Sequence, residues 1–274
     1  MSAWLFVPGT RPDRFAKAHA AGARAVILDL EDAVAAADKV QARRQVAQAV
    51  GAAAYAGDKT YAASHPSSWV RVNGAGSLWF FDDLDALAGA DALAGVLLPK
   101  AEHDHHVELI RDRLGVPVVP LVESVLGVRN RDELACADGV TTLAFGSMDY
   151  ALDLGAAPES MACSYARWQV VEAARLAGVE GPIDGVTADF SDDGLVYEQA
   201  RVARADGCGG KLCIHPRQVP LVVAAFAPTA EELAWAERVV AVSSDGRAVA
   251  LDGQMLDAPV VARARQLLER RPER

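Results

Sequence analysis

Carboxylate residues stand directly after two short apolar runs of this sequence. Glu123 follows Val118–Val122, and Asp149 comes a few residues after Leu143–Gly146. Two carboxylates at the ends of neighbouring strands suit Mg²⁺, which takes one or two protein carboxylates and keeps its other positions for water and substrate oxygens. The sequence has no H-x-x-x-H, H-E-x-x-H or C-x-x-C pattern that would offer a softer metal site. We therefore predict a magnesium site formed by Glu123 and Asp149.

Arg71 lies towards the end of another apolar run, Trp69–Asn73. Its guanidinium is suited to binding a substrate carboxylate through two parallel hydrogen bonds. The alternative is an ion pair with Glu31 or Asp32, which follow the run Ala25–Leu30. The two interpretations are compatible, because such a pair can preorganise the arginine.

Basic residues follow the first apolar run. Gly9 permits close approach of the backbone to a ligand, and the helix start with Arg11, Arg14 and Lys17 offers a basic surface for phosphates. The alternative is a solvated basic helix face, and no Walker A pattern is present.

The cluster His103–His106 is interpreted as a solvated helix start rather than as a set of metal ligands.

These residues need a scaffold that gathers strand ends at one rim. Eight apolar runs alternate with amphipathic segments, and this pattern predicts a (β/α)8 barrel with its chemistry at the carboxyl ends of the strands. A doubly wound open sheet is the structural alternative, although no G-x-G-x-x-G follows the first run. The predicted strands are Trp4–Pro8, Ala25–Leu30, Trp69–Asn73, Gly95–Pro99, Val116–Val122, Thr142–Phe145, Ile183–Ala188 and Lys211–Ile214. The predicted helices between them are Arg11–Ala21, Asp38–Val50, Leu78–Ala88, Asp104–Arg113, Ala162–Ala177 and Asp192–Ala205.

The end of the chain departs from this alternation. Glu231–Val242 and Pro259–Arg270 are predicted to be helices, joined by the Gly-, Asp- and Ser-rich segment Ser243–Leu256. We therefore predict a catalytic barrel over residues 1–228 and, over residues 229–274, a helical extension that packs on the barrel or on a neighbouring subunit.

Composition excludes several other classes of protein. The 274 residues are 51% hydrophobic and carry a net charge of −10, which argues against disorder and against nucleic-acid binding. No run approaches the apolar length of a membrane span, and the first residues do not have the pattern of a signal peptide. Without a C-x-x-C pair, the four cysteines are predicted to be core thiols of a reduced, cytoplasmic protein.

Seven segments in order along the chain resemble the citrate lyase β-subunit-like branch of the HpcH/HpaI aldolase superfamily. They are Leu5–Pro12, Ala25–Val34, Val70–Gly74, Leu98–Glu102, Pro120–Ser124, Ala144–Tyr150 and Lys211–Pro216. The resemblance implies a magnesium-dependent carbon–carbon lyase that cleaves or forms a 3-hydroxyacyl-CoA such as malyl-, citramalyl- or citryl-CoA, giving an acyl-CoA and a 2-keto acid. It also implies a homotrimer or hexamer with shared active sites.

The same resemblance implies roles for particular residues. Glu123 and Asp149 would bind Mg²⁺, with Glu123 also contacting substrate, and Arg71 would hold the carboxylate of the keto acid. Glu31 and Asp32 would orient water around the cation. The CoA moiety would contact Phe6, Arg11, Lys17, Ile214 and His215. The segment Met255-Leu256-Asp257 resembles one in which the aspartate reaches a neighbouring subunit's site as acid and base, with leucine here in place of isoleucine.

Three alternatives remain at this point. A β subunit of a citrate lyase complex would act on a thioester carried by an acyl carrier protein. A class II pyruvate aldolase would act on free hydroxy-keto acids, but it generally has a histidine in an early loop, and none stands in the turn Pro8–Arg14 or beside residues 29–32. A CoA-binding scaffold protein would have no turnover.

Overall fold

Eight parallel strands form a closed barrel in the computed structural model, which describes residues 2–52, 66–243, 249–251 and 254–271. Each strand pairs with the next, and β1 closes the ring on β8 through the register Ala3↔Lys211. The predicted (β/α)8 barrel is therefore confirmed, and the open sheet is not observed. The strands are β1 (Ala3–Pro8), β2 (Ala25–Asp29), β3 (Ser68–Arg71), β4 (Leu93–Leu98), β5 (Val118–Val122), β6 (Ala144–Phe145), β7 (Ile183–Asp184) and β8 (Gly210–Cys213).

Helices alternate with these strands along the chain. They are α1 (Phe15–His19), α2 (Lys39–Ala49), α3 (Phe80–Leu87), α4 (Asp104–Leu114), α5 (Val125–Arg129), α6 (Arg131–Cys136), α7 (Ser147–Leu154), α8 (Met161–Ala177), α9 (Asp193–Ala205), α10 (Gln218–Phe226), α11 (Ala230–Val242) and α12 (Ala258–Glu269). Short 3-10 turns at Pro12–Arg14 and Ala36–Asp38 precede α1 and α2.

The barrel interior is filled by apolar side chains from nearly every strand. Because both faces of a barrel strand are covered, the strands have continuous apolar sequences rather than alternating ones. Trp4 and Trp69 meet edge to face, with ring centroids 5.0 Å apart. The buried interior cluster contains Trp4, Ala25, Ile27, Leu97, Val119, Leu121, Ala144, Ile183 and Leu212.

Several elements differ from the prediction. The helix predicted over Arg11–Ala21 is divided into a 3-10 turn and the short α1, with Pro12 at the start of the turn. Strands β6 and β7 each have two residues and are shorter than predicted. The sequence analysis did not predict the helices α5, α6, α7 and α10, because each is short and follows closely on a polar strand end.

The chain divides into two compact units, Met1–Val223 and Ala224–Arg274. In the second unit α11 and α12 pack through Ala236, Val239, Ala264 and Leu267. Two short antiparallel strands, β9 (Val249–Leu251) and β10 (Gln254–Leu256), occupy part of the predicted connector. Residues 244–248 and 252–253 of that connector lie outside the described residues.

One stretch, Gln218–Val242, has the length and composition of a membrane-crossing helix, with a hydropathy of 1.2. It is not one continuous helix, because α10 ends at Phe226 and α11 begins at Ala230. The start of α11 is closed by a capping box in which Thr229 and Glu232 each bind the other's backbone. Such a box marks a true helix start. The expected absence of a membrane partner stays a prediction.

The cysteines depart from the prediction in one case. Cys163, Cys208 and Cys213 are buried free thiols, whereas Cys136, the last residue of α6, is exposed. Burial raises the pKa of Cys213 to about 12. The prediction of four core thiols is therefore wrong for Cys136, which lies at a helix end rather than on an inward face.

We expect Gly95→Ala to destabilise the barrel. A Cβ at this position would lie 2.4 Å from the Trp69 ring and 2.8 Å from the Pro117 carbonyl oxygen. Overpacking of a close-packed core costs about 1–3 kcal/mol, so the free energy of unfolding in urea should fall by that amount. Gly76→Ala is the matched control, since nothing lies within 4 Å of its added Cβ. Equal stability of the two variants would contradict this account of the Trp69 contact.

Candidate active site

A cavity of about 380 Å³ opens at the carboxyl ends of the barrel strands. Its lining is polar where β2, β3, β5 and β6 end and mostly apolar elsewhere. The lining residues are Phe6, Pro8, Asp29, Asp32, Ala33, Arg71, Leu121, Glu123, Gly146, Ser147, Met148, Asp149, Gly185, Val186, Leu212 and Ile214.

Glu123 is the most buried of the predicted metal ligands. It is the residue directly after β5 and is only 3% exposed. One carboxylate oxygen, Oε1, accepts a hydrogen bond of 2.9 Å from the backbone N–H of Lys100. Burial, and then the neighbouring carboxylates of Asp149 and Glu31, raises the pKa of Glu123 to about 8. A carboxylate held in such a place gains strongly from a cation beside it.

Asp149 lies in the first turn of α7, where the helix dipole favours a negative charge. Gly146, immediately before this helix, lies against Glu123. A Cβ on Gly146 would be 2.4 Å from Glu123 Oε2 and 2.7 Å from its Cβ. The absence of a side chain at position 146 therefore leaves the space that the second oxygen of Glu123 occupies.

The donor set fits a hard divalent cation. Within the described residues no group of three or more His, Cys, Asp or Glu side chains is arranged to hold a metal, and the assignment of Glu123 and Asp149 as a metal-binding pair stays a prediction. A pair of carboxylates is what Mg²⁺ needs when water and substrate supply its remaining ligands. Carboxylates also outnumber cationic side chains around the cavity. The cationic side chains are Arg71 and Lys100, and the carboxylates are Asp29, Glu31, Asp32, Glu123 and Asp149.

Arg71 is held by a buried carboxylate that the sequence analysis did not name. Its Nε and Nη2 donate to the two oxygens of Asp29, each at 2.7 Å. Nη1 lies 3.1 Å from Glu31 and 3.5 Å from Asp32. The predicted pairing with Glu31 or Asp32 is thus present but secondary. Since Asp29 occupies the Nε–Nη2 edge, a substrate carboxylate would have to be bound by the remaining N–H groups, those of Nη1 and the second N–H of Nη2.

Phe6 covers the Arg71 guanidinium, whose carbon lies 4.6 Å from the centre of the ring. This cation–π contact favours the charged guanidinium and shields it from water. Phe6, which the resemblance placed at the CoA moiety, thus lies at the polar end of the cavity beside Arg71. Ile214 lines the cavity and is 42% exposed.

The remaining predicted CoA contacts do not line this cavity. Arg11 forms a two-bond ion pair with the exposed Asp13, and Lys17 is exposed on α1. His215 stacks on Phe190, with ring centroids 4.9 Å apart, and its Nδ1 accepts from the backbone N–H of Arg217. The structure therefore does not bring Arg11, Lys17 and His215 together with the metal pair.

Glu31 and Asp32 differ in environment. Glu31 is buried and pairs with both Lys100 and Arg71, while the Asp32 side chain is 56% exposed. Burial raises the pKa of Glu31, against the lowering effect of its two cationic neighbours.

Asp257 belongs to the second unit and is exposed there. It is the N-cap of α12, and its carboxylate accepts a hydrogen bond of 3.2 Å from the backbone N–H of Val260. Its predicted acid and base role stays a prediction.

Three residues of the site were missed from the sequence. Asp29 was recognisable as a strand-end carboxylate, and Lys100 followed the fourth predicted strand, so both had a signal. No local pattern in the sequence indicated Gly146, because its importance comes from the position of Glu123.

The histidines His103, His105 and His106 pack on one another at the start of α4, with adjacent ring centroids as close as 4.1 Å.

The fold and cavity define a class of protein: (β/α)8 barrels with carboxylates and a buried arginine at the carboxyl rim. Residues 2–216 match the family described as HpcH/HpaI aldolase/citrate lyase. The chain belongs to this family, as its motifs indicated.

Individual relatives match over nearly the whole chain. A citrate lyase subunit beta-like protein of Mycobacterium tuberculosis is 38% identical, with 98% of this chain and 95% of the relative covered. A (3S)-malyl-CoA thioesterase of Cereibacter sphaeroides is 32% identical, with 96% and 92% covered. The crystal structure of protein CitE from M. tuberculosis in complex with magnesium, acetoacetate and coenzyme A is 37% identical. It has a TM-score of 0.84 and covers 98% of this chain and 97% of that one.

We expect Gly146→Ala to weaken Mg²⁺ binding. The added Cβ would displace the Glu123 carboxylate that it meets at 2.4 Å, and misplaced ligands or supporting groups typically cost about 10–100-fold in metal affinity. Titration calorimetry should show this loss. Gly74→Ala, whose Cβ would meet only ordinary contacts at 3.8 Å or more, is the control and should bind Mg²⁺ as the wild type does.

Mg²⁺ affinity should also depend on pH. Because the folded-state pKa of Glu123 is about 8 against an ordinary 4.5, its carboxyl stabilises the metal-free fold at low pH and loses that contribution as the pH rises towards 8. Below this value Mg²⁺ must displace a proton, so affinity should rise about tenfold per pH unit and level off above it. Calorimetry in buffers of different ionisation enthalpy should detect the released proton. An affinity independent of pH from 6 to 8 would contradict it, and Glu123→Gln should abolish the dependence.

Proposed function

We propose that the protein is a magnesium-dependent carbon–carbon lyase that cleaves, or forms, a 3-hydroxyacyl-CoA to give an acyl-CoA and a 2-keto acid. The observation that carries this proposal is the placement of Glu123 and Asp149 beside Arg71 in one cavity whose remaining wall is largely apolar. The carboxylates fit a cation, the arginine fits the carboxylate of the keto acid, and the apolar wall suits an acyl chain. Relatives named for citrate lyase and for malyl-CoA support the same class of substrate.

Magnesium bound by Glu123 and Asp149 would supply a Lewis acid that polarises the substrate hydroxyl and carboxylate oxygens. Arg71 fixes that carboxylate through its remaining N–H groups, since Asp29 holds its Nε–Nη2 edge. When the bond between carbons 2 and 3 breaks, the hydroxyl gives its proton to solvent water and carbon 3 becomes the keto carbon, so that with the proton added at carbon 2 the reaction has no net change in protons. The electron pair passes to carbon 2 as the enolate of the acyl-CoA, where a proton must be added.

Asp257 of a neighbouring subunit is proposed to give that proton to carbon 2, and to remove it in the synthetic direction. Around the cavity, Asp29, Glu31 and Arg71 are committed to one another, and Glu123 and Asp149 are proposed to hold the cation. The exposed Asp32 is the other carboxylate that lines the cavity and is the alternative candidate for this role. Arg11, Lys17, Ile214 and His215 are proposed to contact the CoA moiety around the cavity mouth.

An assembly of several copies is supported by an apolar face on α5, α7 and α8, which contact one another. Met161, Tyr165, Trp168 and Leu176 form one helical stripe of α8. The exposed apolar residues of the face are Val125, Leu126, Leu152, Leu154, Met161, Tyr165, Trp168 and Leu176, each 40–83% exposed. Exposed apolar patches of this kind commonly mark protein–protein interaction sites. We propose that a second copy of this chain covers it, in a trimer or hexamer.

We expect the wild type with Mg²⁺ to release a 2-keto acid from at least one of malyl-, citramalyl- and citryl-CoA. Coupled reduction of the keto acid measures the rate, and the same acyl groups on an acyl carrier protein test the citrate lyase subunit alternative. Free hydroxy-keto acids test the pyruvate aldolase alternative. Glu123→Gln should lower kcat by at least about a hundredfold, as expected for lost metal assistance, and chelation of Mg²⁺ should do the same. Release from none of the thioesters would sink the lyase proposal.

Mixed assemblies test whether the active site is shared. Asp257→Asn and Glu123→Gln should each be inactive alone, whereas reassembled mixtures should regain up to about a quarter of wild-type activity, because random mixing creates sites with both intact residues. A mixture of Glu123→Gln with Arg71→Lys is the control and should regain none, since both residues belong to one barrel. Trp168→Glu, combined with either variant, should prevent assembly and rescue. Full activity of Asp257→Asn would remove the proposed acid.

A further inference from the structure

Lys100 has an unusual backbone conformation at the end of β4. Among the residues that the structure describes, it is the one non-glycine residue with positive φ, 49°. A Cβ is disfavoured in this left-handed region, so such a residue persists only where its surroundings hold it there. The surroundings are clear: Leu98 pairs with Pro120 just before the turn, and Ala101 N–H donates to the Leu121 carbonyl oxygen just after it.

The left-handed turn directs the backbone of Lys100 at the buried metal ligand. Its N–H donates to Glu123 Oε1 at 2.9 Å. Glu102, two residues later, is tied to the stretch of chain that follows Glu123, because its carboxylate accepts from Ser124 Oγ at 2.7 Å and its carbonyl oxygen accepts from Asn130 Nδ2 at 2.8 Å. The segment from Lys100 to Glu102 is thus fixed on both sides of Glu123.

The side chain of the same residue reaches a different part of the site. Lys100 Nζ donates to Glu31 Oε1, and the other oxygen of Glu31 lies 3.1 Å from Arg71 Nη1. Glu31 is buried, while the Lys100 side chain is 48% exposed along a separate polar cavity of about 660 Å³. A line of alternating charges therefore runs from Lys100 through Glu31 and Arg71 to Asp29.

Glycine would adopt this backbone conformation without strain and would make the same N–H bond. A turn that only had to orient Glu123 would have no need of an ammonium group. The lysine adds the contact to Glu31, whose other oxygen pairs with Nη1 of Arg71, so the ammonium group fixes where this carboxylate lies against the guanidinium.

We propose that Lys100 is a positioning residue with two separable parts. Its backbone N–H orients Glu123 towards the cation, and its ammonium group holds Glu31 and thereby the substrate-facing side of Arg71. The inference rests on the proposed function for the role of Arg71, but its first half depends only on Mg²⁺ binding.

Four variants separate the two parts. Lys100→Gly keeps the left-handed backbone without strain and removes the ammonium group, whereas Lys100→Ala removes the ammonium group and keeps the strain. Lys100→Met keeps the length of the side chain without its charge, and Lys100→Arg keeps a cation. Arg44→Met, at an exposed position on α2, is the control for loss of one positive charge. Circular dichroism and thermal melting establish that each variant is folded.

Mg²⁺ titration calorimetry tests the backbone part without any turnover. We expect Lys100→Gly to keep the Mg²⁺ dissociation constant within about twofold of wild type, because glycine has no strain to relax. Lys100→Ala should raise it at least fivefold, because alanine keeps the strain but loses the ammonium contact to Glu31 that helps to hold the turn, so that the N–H moves away from Glu123. Equal dissociation constants for these two folded variants would overturn the backbone part.

Keto-acid binding and kinetics test the ammonium part. With Mg²⁺ present, Lys100→Gly and Lys100→Met should bind pyruvate at least tenfold more weakly and lose a similar factor in kcat/KM, in line with a lost charged contact, while Lys100→Arg should recover most of both. Wild-type pyruvate affinity in Lys100→Met would overturn this part. If the wild type binds Mg²⁺ and pyruvate but cleaves no thioester, the proposed function fails while both binding tests of Lys100 still stand.

Discussion

The buried ion pair between Asp29 and Arg71 is the interaction on which the rest of the site depends. Asp29 is 1% exposed and Arg71 is 9% exposed, and charges taken this far from water are tolerated only when they are paired and hydrogen-bonded. Asp29 meets that condition with two bonds from the guanidinium and further bonds from the backbone N–H groups of Glu31 and Ala33. Its own backbone carbonyl oxygen accepts from Gly9 N–H. Through its carboxylate and its backbone carbonyl, this one residue joins the ends of β1, β2 and β3.

From this pair the polar network extends around half of the rim. Arg71 touches Glu31, Glu31 touches Lys100, and the backbone of Lys100 touches Glu123. Burial, and then the neighbouring carboxylates, raises the pKa of Glu123, so its charged form is unfavourable in the protein alone, and a divalent cation would offset this. The site is therefore a low-dielectric cavity whose negative charges would be balanced only with a metal ion bound.

Much of this arrangement could be predicted from the sequence, for a physical reason. Strands buried on both faces have continuous apolar runs, and parallel strands in a barrel present their ends at one rim, so Glu123, Asp149 and Arg71 could be placed together without coordinates. The partner of Arg71 could not, because it depends on register: Asp29 pairs directly with Arg71 between β2 and β3, whereas Glu31 and Asp32 lie beyond the strand end. The left-handed turn at Lys100 and the space beside Gly146 come from tertiary contacts that no local pattern encodes. Helices as short as α5 and α6 have too few residues to show a clear period.

The exposed thiol of Cys136 gives the protein one site for chemical labelling. Cys136 is exposed at the end of α6, while the other three thiols are buried and the pKa of Cys208 and Cys213 is raised by burial. Thiolate, rather than thiol, reacts with maleimides, so a fluorophore should couple to one site per chain without engineered cysteines. Energy transfer between identical dyes on different copies would then report association and dissociation in real time, in the unaltered protein and at concentrations well below those of scattering methods.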